Sequence, residues 1–566
     1  MKFSKIIKPS VLKASLFVVF FSLVISRTLF TNQLFRSDDL ELHGARLANY
    51  YLSIKQGQVP PYWAPNLNHG FGYPVFIFGY HLPYMVSTFF YALGANIELS
   101  LNITIILLIA FGGLGVFTFS YLKNKNTFLA IVSSIVYQTT PYALTNIFVR
   151  GAIGEIAFLS FLPWVFVLIK TRDKANYLWH MILSILVFFG MVLSHPAFLM
   201  IFSPIVIGWL YLDGFFKDLF SPKKNKRAIS FLLSAVIALF LTAWFWLPFL
   251  FERQFIDIAG HSITQNFSKR YLPIKQLFFS KWGYGGADFS KEVDYFPATN
   301  GLAVLLVLIL SLKKIFINRK KLNKYKKLFF MLIVFFISIF LMLPISESFW
   351  HFSKVLPFLQ YPWRFFGITT FSGIMILNHL KVNRFFLIIL IAISLHHLVF
   401  YTKPLSYISN SNNDWLEYFG TSTSDNELKP IWFDEHENIG ITEKVYLEKE
   451  ANLEIVSWSG SNMIYRIEAK EDLRVLQKTM YFPGWEVLVN GEMTEIDYEN
   501  EKYSGRVVFD IEAGNNLIES RFTNNTSSRK IGIYLTIIGM LGFIISIFSK
   551  LIPSKWNCKH LLQKVQ

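Results

Sequence analysis

The sequence predicts a polytopic, all-helical membrane domain of about twelve spans with a small β-rich domain near its C-terminal end. Three observations lead there. Hydrophobic residues make up 53% of the 566-residue chain and charged residues only 16%, with a mean hydropathy of +0.40. The apolar residues come in runs too long for a soluble core to absorb. Short basic clusters recur between those runs, and one long polar stretch with strand-like patterning interrupts them near the end.

A bilayer-spanning helix needs about 20 apolar residues. Runs of that kind fall at residues 13–33, 99–122, 127–146, 153–170, 178–194, 197–216, 228–251, 300–317, 328–344, 362–380, 384–401 and 531–549. Lysines at positions 2, 5, 8 and 13 precede the first run, as in a signal peptide, but the run is longer than a signal core and lacks a small-residue cleavage site. It reads as an uncleaved helix. With the N-terminus inside, the clusters Lys123/Lys125, Lys170/Arg172/Lys174, Lys223–Arg227, Lys313–Lys327 and Lys381/Arg384 all fall on one side. So does the C-terminal tail, with Lys550, Lys555, Lys559 and Lys564. Twelve spans therefore satisfy the positive-inside rule with both termini cytoplasmic. Counting residues 75–95 as a span would invert that pattern, so this Gly-, Pro- and Tyr-rich stretch is expected to be re-entrant or interfacial. The net charge of +17 reports orientation and does not indicate nucleic acid. The single cysteine, Cys558, excludes an intrachain disulfide and a cysteine metal site.

This topology divides the chain into a transmembrane domain, 1–401, with external loops 34–98 and 252–299, an extracytoplasmic domain, 402–528, and a last helix with its tail, 529–566. In 402–528, strands are expected at Leu473–Tyr481, Trp485–Val489 and Met493–Tyr498. Asn490-Gly491 gives a type I′ hairpin signal and Pro483-Gly484 a turn. A small sandwich fits best.

Candidate chemistry gathers on the external side. A helix capped by Ser37 or Asp38 is expected to run to about Gly57. Along it Asp39, His43 and Arg46 share one face, which is either a site or the solvated side of an interfacial helix. The loop Pro60–Pro74 is too rich in Pro, Gly and aromatic residues to be helical. It reads as a rigid loop on the bilayer surface, either an aromatic belt or a substrate loop. Arg150 and Glu155 flank a glycine-rich turn, and His195 lies between two spans. Arg270 lies in the second loop, and Arg364 enters the tenth span from outside. Each alone could snorkel to the interface. Together they suggest a cavity for an anionic substrate, because arginine binds phosphate bidentately. No nucleotide-binding loop, dinucleotide fingerprint or His-Glu-x-x-His motif occurs.

Asp39–Arg46, Trp63-Ala64-Pro65, Gly70-Phe71-Gly72-Tyr73-Pro74, Arg150-Gly151 with Glu155, Ser194-His195, Pro362-Trp363-Arg364-Phe365 and Tyr481-Phe482-Pro483-Gly484-Trp485 carry a resemblance. The chain resembles GT-C membrane glycosyltransferases, and more closely the 6-pyruvoyl-tetrahydropterin synthase-related and YfhO-like membrane proteins. No soluble pterin-synthase domain is recognisable. The resemblance implies a polyprenyl-phosphate-linked sugar donor and an envelope glycan, lipid or protein acceptor. It also implies a carboxylate base in the first external loop. Asp39 or its neighbour Asp38 would be that base, with His43 orienting base or acceptor. Arg364, with Arg150 or Arg270, would hold the phosphate. A divalent metal on Asp38, Asp39 and Glu41 stays open, although three acids in four positions do not face one way. A transporter for lipid-linked precursors and a non-catalytic envelope scaffold are the rival readings. The first is weakened by the lack of an inverted repeat.

Overall fold

A computed structural model describes residues 8–222, 224–256, 258, 261–285, 296–423, 426–434, 442–500 and 503–548. The expected basic residues at 2, 5, 223, 550, 555, 559 and 564, the cysteine at 558, and residues 286–295 of the second loop lie outside them.

A helix occupies each of the twelve apolar stretches. Several begin where an asparagine side chain accepts a backbone N–H of the first turn: Asn96, Asn126, Asn176 and Asn383. Five helices among the described residues are long and apolar enough to cross a bilayer alone: Ile97–Asn124, Ile153–Thr171, Tyr177–Ser194, Asn323–Met342 and Ser527–Phe548. A sixth is formed if Asn225–Leu241 and Ala243–Phe255, bent by 66°, count as one.

Of the other stretches, Gly301–Ile317 and Arg384–Phe400 match the sequence expectation, whereas some are shorter. The 127–146 run splits into Thr127–Thr139 and Pro141–Phe148, because Pro141 has no N–H to continue the first helix. The first helix ends at Ile25, short of residue 33. Residues 75–95 form two short helices, Val75–Phe78 and Leu82–Ala92, too short to span.

The polar stretch folds into two antiparallel sheets. One runs Ala451–Trp458, Asn462–Ala469, Gly514–Phe522, Trp485–Val489, Glu492–Thr494, and the other Val445–Leu447, Leu473–Met480, Arg506–Ile511. Tyr465 and Gln477 bond across the shared core at 3.1 Å. The hairpin turn has Asn490 at φ 54° and Gly491 at φ 87°, as a type I′ turn requires. The strand after it stops at Thr494 and does not reach Tyr498.

The aromatic residues of the Pro60–Pro74 loop pack inward rather than forming a belt at the bilayer surface. Trp63 is fully buried, stacked on Phe522 at 4.9 Å and edge-on to Trp485 at 5.5 Å. Its Nε1 donates to the Gly460 carbonyl. The loop is the seat on which the β-domain rests. Gly72, at φ +80°, faces the Trp63 indole so closely that a Cβ would lie 2.3 Å from Nε1. A buried ion pair completes the attachment. Arg529 Nη2 donates to Glu252 at 2.7 Å and to the Pro483 carbonyl at 2.9 Å, while Nη1 reaches the Thr523 carbonyl. The last helix, the second loop and the sheet meet there. At the far end of the helices Lys123, Lys313, Lys314, Lys324, Lys326, Lys327 and Lys381 converge on one cavity.

Replacing Glu252 with alanine strands a buried guanidinium, which costs about 3–5 kcal/mol. The unfolding temperature of the purified protein should fall clearly, and adding Arg529→Met should recover most of the loss.

Candidate functional site

The first-loop helix, Leu40–Lys55, starts with Asp39 at its N-cap position. The Asp39 side chain caps nothing; the Ser37 hydroxyl accepts the Leu40 N–H instead, at 3.1 Å. The N-cap position is therefore Asp39, not the expected Ser37 or Asp38, although the Ser37 hydroxyl still accepts a first-turn N–H. This arrangement leaves the Asp39 carboxylate lining a cavity. The backbone holds it there, because Asp38 N–H bonds to the Val149 carbonyl at 3.0 Å and Asp39 N–H to that of Arg150 at 2.8 Å. The contact requires Gly151. Its φ is +64°, and a Cβ there would lie 2.6 Å from Ser37 Oγ and 2.8 Å from Leu40 Cβ. Two segments over a hundred residues apart are thus joined side by side, with Asp39 set beside Arg150.

Glu155 stands in the first turn of Ile153–Thr171, where the helix dipole favours a carboxylate. It accepts both Arg150 Nη atoms (2.8 and 2.9 Å), Arg364 Nε (3.0 Å), the Tyr142 hydroxyl (2.7 Å) and Asn146 Nδ2 (3.2 Å). Arg150 also stacks over Trp363, 4.3 Å from the ring centroid. Arg364 Nη1 donates to the Leu359 carbonyl and to Gln360 Oε1, and its Nη2 takes part in none of these bonds. Gln360 holds φ 64°, an uncommon backbone state for a non-glycine residue and one that tends to occur at functional sites.

These groups surround one cavity of about 350 Å³. Eight of the nine residues singled out from sequence line it: Asp38, Asp39, His43, Arg46, Arg150, Glu155, His195 and Arg364. Asp39, His43 and Arg46 do share a face. Arg270 lies one layer behind, over the Tyr361 ring at 4.5 Å, with Arg364 over the same ring at 5.0 Å.

The two carboxylates make no side-chain hydrogen bond among the described residues. Asp38 is open to the cavity, but the protein walls around it and the neighbouring Asp39 charge push its carboxyl up to about 6. Burial also raises Asp39, against the pull of Arg150, Arg46 and Arg364. His43 is buried with both ring nitrogens engaged, Nδ1 by the Tyr84 hydroxyl at 2.7 Å and Nε2 by that of Tyr80 at 3.0 Å. Burial lowers its pKa well below the ordinary value. It is a neutral brace. Arg46 donates to Ser422, from the segment that leads into the β-domain. His195 Nδ1 accepts the Phe198 N–H, and its ring lies against Tyr80 at 5.8 Å. Glu41 does not line the cavity, and no group of three or more His, Cys, Asp or Glu suited to a metal ion occurs among the described residues.

Sequence reasoning did not assign Tyr80, Gln360, Tyr361, Trp363 and Glu427, which also line the cavity, or Tyr142 and Asn146 behind Glu155. Tyr361 and Trp363 stand beside Arg364 in the motif already singled out. Tyr80 marks the break between the two short helices. Nothing local in the sequence points to Glu427.

A solved structure similar to this chain is that of the arabinofuranosyltransferase AftD from Mycobacteria, with 16% identity and a TM-score of 0.36. The match covers 69% of this chain and 26% of that one, so the chain spans about a quarter of its length. No curated protein matches the chain. The model of the 6-pyruvoyl-tetrahydropterin synthase related domain, a membrane protein family, matches residues 78–405. More than half of the chain is covered, and it belongs to that family of membrane proteins.

Proposed function

We propose that the cavity transfers a glycosyl group from a polyprenyl-phosphate donor to a hydroxyl of a cell-envelope acceptor, glycan, lipid or protein. On this reading the reaction takes place on the extracytoplasmic side of the inner membrane. One observation supports this above others: two carboxylates that make no side-chain hydrogen bond among the described residues face arginines whose positions are fixed in advance by a buried glutamate.

In this reading the acceptor oxygen attacks the anomeric carbon as the bond from that carbon to the phosphate oxygen breaks. Asp39, aided by Asp38, takes the hydroxyl proton. The electron pair of the broken bond stays on the phosphate, which Arg364 Nη2 and Arg46 face across the cavity. Electrostatic stabilisation of such a leaving group by preorganised donors is usually the largest single contribution to catalysis. Glu155 binds no substrate here. It holds Arg150 and Arg364 in place, so that they need not reorganise as charge develops. His43 positions Tyr80 at the cavity wall, and Arg270 backs Arg364 through Tyr361.

The reading is tested with purified protein in nanodiscs, a panel of polyprenyl-phosphate sugars and envelope extract, following free polyprenyl phosphate. Asp39→Asn should slow release roughly 10²–10⁴-fold, the usual worth of a general base, and Arg364→Ala should slow it as well. A donor that binds the wild type and is never cleaved would shift the reading to a transporter of lipid-linked precursors.

A pH profile checks the base independently. The base works ionised, and the carboxyl of Asp38 is raised to about 6. Burial raises both carboxyls, Asp38 to about 6, so turnover should fall as pH drops and the carboxylates protonate, with the loss of ionised Asp38 falling near 6. A profile flat down to pH 4.5 would remove this carboxylate pair from the base role.

A further inference from the structure

The seven-lysine cavity lies at the opposite end of the helices from the carboxylates. Helix Phe366–Leu377 connects the two: Arg364 stands just before it and His379 just after it. At 1.5 Å per residue these positions are about 20 Å apart. The lysine cavity has a volume of about 740 Å³, and no carboxylate lines it. Asp213 pairs with Lys327, and Lys314 Nζ donates to the His379 carbonyl at 2.7 Å. Among the described residues the other five lysines have no ion pair. The Lys123 ammonium is enclosed and makes no hydrogen bond.

Lys313, Lys324, Lys326 and Lys381 are exposed, while Lys123, Lys314 and Lys327 are partly buried. The seven come from the ends of the helices Ile97–Asn124 and Gly301–Ile317, from the turn after Phe366–Leu377, and from the start of Lys326–Met342 with Lys324 just before it. Asn124 and Asn378 clamp one wall, bonded side chain to side chain at 2.9 Å. An enclosed ammonium without a partner is costly, and a multivalent oxyanion would offset that cost. Basic pockets between spanning helices are a known form of anionic-headgroup recognition.

We propose that this cavity is a phosphate-binding site, separate from the candidate transfer site, that takes the phosphate group of an anionic lipid seated in the opposite leaflet. Free di- or polyphosphate carries the same recognised chemistry. The proposal does not depend on the transfer reaction.

The test titrates detergent-solubilised full-length protein with short-chain phosphatidylglycerol, and separately with inorganic pyrophosphate, following thermal stability. The variant is K313Q/K324Q/K381Q, whose three lysines make no hydrogen bond or ion pair among the described residues. Each lysine near an anionic headgroup is worth about a fivefold step, so the triple variant should bind roughly a hundredfold more weakly. K123Q, read the same way, should weaken binding with the surface lysines intact. Saturable stabilisation by phosphatidylglycerol alone assigns a lipid headgroup. Stabilisation by both probes shows that the phosphate suffices, and by pyrophosphate alone that the ligand is soluble. Stabilisation by neither, or equal stabilisation of wild type and variants, overturns the proposal.

Discussion

The site depends on one buried carboxylate. Glu155 is almost fully enclosed, and five donors from four side chains converge on it. An isolated carboxylate would not stay ionised at that depth. Two guanidiniums make it tenable, and in return it fixes them. Breaking such a cluster is more damaging than never having built it, because the remaining partner is left charged and buried. The arginines are therefore held before any substrate arrives, with the Trp363 face and the Gln360 side chain completing their walls.

The rest of the fold delivers partners to that centre. The Gly151 turn sets Asp39 beside Arg150. The helix starting at Asp39 places Arg46 two turns further on the same side, where Ser422 holds it. Ser422 is positioned by a segment leading into the β-domain, and that domain is seated on Trp63 and clamped by Arg529 and Glu252. The cavity wall thus draws on residues from 38 to 427. A disturbance at the β-domain seat, remote from the carboxylates, can still be transmitted to Arg46.

Much of this was legible in the sequence. Spacing alone put Asp39, His43 and Arg46 on one face, and the rarity of ionisable groups in apolar runs identified Arg150, Glu155, His195 and Arg364. The hairpin at Asn490-Gly491 followed from turn chemistry. Other features depend on contacts between distant segments and leave no local signal. Proline and aromatic density marked Pro60–Pro74 as rigid, but only the packing of Trp63 against Phe522 shows what it is rigid for. A His, Asp, Arg face does not reveal that two tyrosines occupy both nitrogens of His43. Charge counting placed the basic clusters on one side without showing that seven lysines share a cavity. Hydropathy located the apolar helices but overstated the length of some, as where Pro141 ends a helix early.

The most direct test of the preset arginine cluster is a cryo-EM structure of the nanodisc-embedded protein with a short-chain polyprenyl phosphate, the expected product. Phosphate density against Arg364 and Arg46, facing Asp38 and Asp39, with the Arg150–Glu155–Arg364 cluster unmoved, is the expected result. Phosphate bound elsewhere with the cavity empty, or arginines that leave Glu155 to reach it, would contradict a site organised in advance by that carboxylate.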